Sequence, residues 1–233
     1  MKKILFCIIV ACAMMSTSVV CAQGLPEKEK CYAVKMADVW DNWYVQVGLD
    51  MSLQNPCGYN LANVFPNGKT FGVNAAVGRW FTPGLGLRGK VNWENGIPCF
   101  ENGHADWLAP FDQPGVHMER GGNLTFLGDI QFDVHNLFFG YDRERKWHLQ
   151  IFPRAGVGYN FGVSKGTPIL GMGVGNTYWL NNRWIVYADV AYQMTSSGFI
   201  PSDTGVGMNS NGYFEMNVGV QFNLGKCGFD VVE

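Results

Sequence analysis

The stretch Tyr213-Phe214-Glu215-Met216-Asn217-Val218-Gly219-Val220-Gln221-Phe222-Asn223-Leu224 places an apolar residue at every second position. Phe214, Met216, Val218, Val220, Phe222 and Leu224 form one series; Glu215, Asn217, Gly219, Gln221 and Asn223 fall in the other. A β-strand sends successive side chains to opposite faces, so such a segment is greasy on one face and polar on the other. A tilted strand crosses a bilayer core with about 9–11 residues, and this stretch is long enough.

The same parity recurs upstream. Seven further segments keep it: residues 43–53, 70–81, 85–95, 123–134, 147–161, 169–180 and 184–194. With 213–224 they predict an all-β fold, an eight-stranded antiparallel up-and-down transmembrane β-barrel over residues 43–224. Two polar residues, Arg79 and Asn176, fall on the apolar parity near a strand end, where an arginine reaches the headgroups at little cost. Long connections rich in Gly, Pro, Asn and Ser (54–69, 96–122, 195–212) alternate with tight ones (82–84, 181–183), as in barrels with long outer loops and short inner turns. Two connections deviate: 162–168 is short for an outer loop and 135–146 long for an inner turn.

A soluble barrel with an apolar interior would also alternate. Two features speak for the membrane. Trp43, Trp80, Trp93, Trp147, Tyr178 and Trp184 cluster near strand ends, as in aromatic girdles. The polar parity is also rich in glycine (Gly48, Gly72, Gly78, Gly173, Gly219), which weakens a solvated strand but leaves room in a narrow lumen crowded by long side chains.

Ahead of the barrel, Lys2 and Lys3 precede an apolar run and then Val20-Cys21-Ala22, the plan of a cleaved signal peptide over residues 1–22. Val20 is large for the position before a lipidated Cys21, which disfavours a lipoprotein. Residues 23–42 then form an N-terminal periplasmic segment and 225–233 a periplasmic tail. The formal charge of −2 becomes −4 once Lys2 and Lys3 are lost, so nothing basic invites nucleic acid. Charged residues make up 15 % of the chain, against about 25 % in soluble domains. No later apolar run is long enough for a spanning helix.

The polar parity carries Asp50, Arg88, Lys90, Glu94, Asp129, Asp133, His148, Arg154, Asp189 and Glu215. Eight strands leave an interior just wide enough for side chains to fill it. Buried charges must pair, so Arg88, Lys90, Glu94, Asp129, Asp133, Arg154, Asp189 and Glu215 are expected to form an ion-pair network plugging the lumen. Lys90 is expected to meet Asp129, with Arg88 or Arg154 as the alternative partners of that carboxylate. Parity also predicts that Val218→Arg is costly and Asn217→Ser mild.

Other patterns carry less. Gly84-Leu85-Gly86-Leu87-Arg88-Gly89 spells G-x-G-x-x-G, but a dinucleotide site needs a strand before it and a helix after it, and here a strand follows. His104, His117, His135 and His148 lack metal-ligand spacing and read as surface or turn residues, so no metal or other cofactor is expected. His117 and Ser196 lie in outer loops, where barrel enzymes acting on lipid keep their machinery, but nothing sets a base beside a nucleophile. The expectation is no enzyme.

Four cysteines follow the signal: Cys31, Cys57, Cys99 and Cys227. An even number in an exported chain suggests disulfides, and four allow three pairings. A bridge needs Cα atoms within about 7 Å, whereas the two ends of the barrel lie about 25 Å apart. Topology therefore favours Cys57–Cys99 outside and Cys31–Cys227 inside, with unpaired thiols as the alternative.

Taken with the strands, Gly78-Arg79-Trp80-Phe81-Thr82-Pro83-Gly84-Leu85-Gly86-Leu87-Arg88-Gly89, Phe65-Pro66-Asn67-Gly68-Lys69-Thr70 and the closing segment 218–224 resemble the membrane domain of OmpA-type outer-membrane proteins of Bacteroidetes. The resemblance covers residues 43–224. It implies an eight-stranded barrel anchored in the outer membrane, in contact with its lipid, inserted by the barrel assembly machinery and showing variable loops outside. Many members continue into a peptidoglycan-binding domain, whereas here residues 225–233 follow the last strand, so the membrane domain alone is expected. The assembly signal then falls on Val220-Gln221-Phe222. The expected protein is a monomer serving envelope structure or contacts with an extracellular ligand through its loops. A small-solute channel is the alternative, and a lipid-modifying barrel enzyme a more distant one.

Overall fold

The computed structural model describes residues 33–34, 38–55, 69–95, 97–100, 116–119, 122–161, 164–196, 211–229 and 231–232. The chain divides into Met1–Cys31, outside the described residues, and Tyr32–Glu233, which holds everything below.

The elements run β1 (Ala33–Val34), β2 (Trp43–Asn55), β3 (Lys69–Thr82), β4 (Leu85–Glu94), β5 (Ile97–Phe100), β6 (Val116–Glu119), β7 (Asn123–Asp133), α1 (Val134–Phe139), β8 (Trp147–Asn160), β9 (Lys165–Trp179), β10 (Trp184–Thr195), β11 (Asn211–Leu224) and β12 (Val231–Val232). β2, β3, β4, β7, β8, β9, β10 and β11 close into one antiparallel barrel, each bonded to its neighbour along the chain and β11 returning to β2. Closure pairs Val218 with Leu49 and Leu224 with Trp43. Closure leaves the barrel no free edge, as a sheet in lipid requires. No helix among the described residues is long and apolar enough to cross a membrane.

The distribution of side chains is the reverse of a soluble domain. Outward-pointing Leu49, Phe71 and Met172 are 65 %, 63 % and 63 % exposed, while inward-pointing Asp50, Lys90, Arg154 and Glu215 are at most 3 % exposed. An apolar surface of that extent is stable only in an apolar surrounding.

The eight strands match the alternation within two residues at each end, apart from the start of the sixth. There Pro168 reads as a boundary, since proline cannot donate to a ladder. In the structure Pro168 stands opposite Val157 and the β8–β9 hairpin continues to Asn160↔Lys165, so β9 begins at Lys165. The long inner turn is also more than a loop. Residues 134–139 form α1, with the Asp133 side chain accepting from Asn136 N at 2.9 Å and Gly140 ending the helix at φ 75°.

β2–β3, β4–β7 and β10–β11 are joined at one end by the long connections, and β5 and β6 form a hairpin within the second. The other end carries the tight turn at Pro83 and Gly84, α1, residues 180–183 and the tail. Arg79, on the apolar parity, is held at that end: its guanidinium donates to Asp38 O at 2.6 Å and lies 5.0 Å from the Phe81 ring. There β1 pairs β12 through Ala33↔Val232 and Val34↔Val231. Backbone pairing thus ties β1 to β12. Cys227 is a free thiol. Cys31 and Cys57 lie outside the described residues, and of Cys99 only the β5 backbone is described.

Candidate functional site: the filled lumen

Every inward position is set by strand parity, and six of the charged ones meet across the lumen. Arg88 on β4 donates from Nε to Asp129 Oδ2 and from Nη1 to Asp189 Oδ2, both at 2.7 Å. Arg154 on β8 donates to Asp129 Oδ1 at 2.6 Å and to Glu215 Oε1 at 2.9 Å. Lys90 Nζ meets Glu215 Oε1 at 2.7 Å. All these side chains are 1 % exposed or less. The network crosses the lumen: β4 and β8 reach β7, β10 and β11.

This corrects one expected pair. Lys90 does not pair with Asp129, whose oxygens are taken by Arg88 and Arg154; it spans the lumen to Glu215. Adjacency around the wall suggested β7, but a long side chain in a narrow barrel reaches across it. Glu215 also accepts from Asn92 at 3.0 Å, from Asn217 at 2.7 Å and from Gln193. Four strands therefore converge on one carboxylate.

Glu94 and Asp133 stand apart from this network. Glu94 accepts from Ser52 and from Thr70 at 3.2 Å rather than from a cation. Asp133 caps α1 and lies 2.7 Å from His148 Nδ1. His148, a turn or surface residue by spacing, is in fact buried, and its Nε2 lies 3.1 Å from Arg145 O. Asp50 is 2 % exposed, and neither of its oxygens has a hydrogen-bond partner. Ordered water serves buried polar groups of this kind.

Sequence reasoning missed the aromatic filling. Tyr44, Phe152, Tyr187 and Tyr213 all point inward and are buried. Their positions on the polar parity were the available signal. The guanidinium groups of Arg88 and Arg154 lie over the Phe152 ring, at 4.8 Å and 5.1 Å from its centre. Tyr187 donates to Asn74 at 2.7 Å, and Tyr44 donates to Gln131. The glycines make room for these rings. A Cβ on Gly48 would lie 2.4 Å from Tyr187 Oη, and one on Gly173 would lie 2.4 Å from the Phe152 ring.

The tight-turn mouth holds a cavity of about 90 Å³ whose lining includes Asn42, Asp133, Arg145, His148, Asn223 and Phe229. The tail partly covers it. Gly228 N donates to Asn42 Oδ1 at 2.8 Å, Phe229 N donates to Tyr141 Oη at 3.1 Å, and the two rings pack edge to face at 5.8 Å. Burial pushes the Cys227 thiol in this lining above its ordinary value, against the opposing pull of Arg183.

Chemically, the central network of the lumen is a set of mutually neutralising charges, three cationic and three anionic side chains. No group of three or more His, Cys, Asp or Glu side chains that could hold a metal occurs among the described residues. Ser196 is engaged with Thr167, whose hydroxyl lies 2.7 Å from its own. His104 lies outside the described residues, and for His117 only the β6 backbone is described. The G-x-G-x-x-G run forms a turn and the start of β4, with no helix behind it.

No family model matches the chain, and no curated protein matches it either. Among solved structures, the Neisserial surface protein A superimposes with a TM-score of 0.52 at 12 % identity, over 78 % of this chain and 97 % of that one. The fold is that of an eight-stranded outer-membrane β-barrel. The attachment invasion locus protein Ail of Yersinia pestis gives a TM-score of 0.45 at 13 % identity, over 79 % of this chain and 99 % of that one. OprG from Pseudomonas aeruginosa gives 0.43 at 8 %, over 80 % and 99 %. Nearly the whole length of each is spanned by the barrel of this chain.

Proposed function

We propose that this chain is a non-enzymatic outer-membrane barrel of the OmpA type, exported with a cleaved signal, whose lumen is sealed and whose long loops face outward. It serves envelope structure or contacts an extracellular ligand through those loops. The observation that carries the sealed reading is the network joining Arg88, Lys90 and Arg154 to Asp129, Asp189 and Glu215 across the full width of the lumen. Opening a path there would strand buried charges at several kcal/mol each. The short turns and the β1–β12 pair share one mouth, which suits a periplasmic side, and the long connections share the other.

The test is a deletion strain compared with wild type. Uptake of small solutes should be unchanged, while envelope integrity or binding of external molecules at the cell surface should fall. A strain whose only defect is slower solute uptake would instead establish the channel reading.

A further inference from the structure

Outside the membrane-spanning belt, large apolar side chains crowd one arc of the tight-turn rim. Phe138 and Leu137 on α1 are 75 % and 55 % exposed, and Trp40 and Val39, just before β2, are 80 % and 62 % exposed. We infer that this arc is a one-sided interfacial anchor, with α1 and Trp40 seated in the headgroup–acyl boundary of the phospholipid leaflet at that end. The inference rests on the membrane reading above.

The helix is built for that position. Its sequence, Val-His-Asn-Leu-Phe-Phe, carries no acidic or basic residue besides the histidine. Its polar member is turned away from lipid: Asn136 Nδ2 donates to Pro83 O at 2.9 Å and to Asp133 Oδ2 at 3.0 Å, and Asn136 Oδ1 accepts from Arg145 at 3.0 Å. On the other side His135 packs on Trp147, the first outward residue of β8, at 4.7 Å, and Phe139 lies 6.2 Å from His135. The apolar surface of α1 is therefore continuous with the lipid-facing belt at Phe132 and Trp147.

Leu137 extends the surface sideways over the β3–β4 turn, where a Cβ on Gly84 would lie 2.6 Å from it. Beyond that turn Trp43 Nε1 donates to Val39 O at 2.8 Å and fixes the approach of Val39 and Trp40 to the wall. The arc thus follows β2, β3, β4, β7 and β8. Across the barrel the turn between β9 and β10 carries one exposed leucine, Leu180, followed by Asn181, Asn182 and Arg183. Aromatic and leucine side chains at a membrane rim, beside exposed charges of both signs at Asp142, Arg143, Glu144 and Lys146, are the composition of an interfacial segment. Continuity with the belt selects lipid over a protein partner as the occupant.

The test places a photo-activatable benzophenone amino acid at position 138 or, separately, at position 49 in the full chain, each folded in phosphatidylcholine–phosphatidylglycerol vesicles. Both native residues are exposed, so both variants fold. Leu49 lies in the belt and reports insertion itself. A phospholipid adduct at 138 with a yield comparable to that at 49 is the expected result. An adduct at 49 without one at 138, or a cross-link from 138 to a second copy, would overturn the anchor while leaving the barrel in the membrane. No lipid adduct at either position would overturn the membrane reading and the anchor with it.

Discussion

Glu215 shows what one inward residue carries. It meets Lys90 directly at 2.7 Å and Arg154 at 2.9 Å. Lys90→Met should lower stability by about 3–5 kcal/mol, because it leaves a buried carboxylate short of a cation. In urea unfolding titrations from lipid vesicles, Glu215→Gln should couple strongly to Lys90→Met and Asp129→Asn should not; coupling confined to Asp129 would refute the observed pairing. Neighbouring residues of β11 separate the two faces. Val218→Arg should cost about 2–4 kcal/mol by placing a charge in lipid. Asn217→Ser, mild by parity alone, removes a donor to Glu215 at 2.7 Å and an acceptor for Asn74 at 3.0 Å. It should cost about 1–3 kcal/mol, and the same titrations measure both. Parity told in from out at each of these residues; it did not tell which side chains meet across the lumen, because that depends on reach and stagger.

At the scale of elements, close approach of strands and rings sets tolerance. A Cβ on Gly48 would meet Tyr187 Oη at 2.4 Å and the backbone oxygen of Val218 at 2.6 Å, whereas one on Gly89 would meet nothing nearer than 3.9 Å. Gly48→Ala should therefore cost about 1–3 kcal/mol through overpacking, and Gly89→Ala should be close to neutral; equal effects in thermal unfolding would contradict the tyrosine–glycine packing. The helix offers a pH test. His135 Nδ1 accepts from Leu149 N at 3.0 Å, a bond that protonation breaks. Burial holds the imidazole below its ordinary 6.5, with Arg145 and His148 adding to the effect and Asp133 opposing it. The folded state then binds the proton less readily than the unfolded chain. Stability is intact above about pH 6.5 and falls as pH drops from there toward the depressed folded value. Exchange of the Leu149 amide should quicken over that window and lose the step in His135→Gln; a step retained in the variant would assign it elsewhere. The alternating strands were legible because each repeats one rule over ten or more residues. α1 was not, because its six residues owe their helix to the Asp133 cap and to packing on the rim, and neither leaves a periodic trace.

For the whole molecule, the reversed distribution of apolar and charged residues and the closed sheet follow from a single alternation repeated eight times. That is why the barrel could be read from the chain. The filling could be read only in kind: parity marked the charged, aromatic and glycine positions, and the sixfold network of Arg88, Lys90, Arg154, Asp129, Asp189 and Glu215 emerged only once the strands were set in register. The central claim is that this network seals the lumen. Single-channel recording of the purified protein in planar bilayers tests it most directly. The account predicts insertion without stable conductance steps; reproducible large openings by the wild-type protein would contradict it.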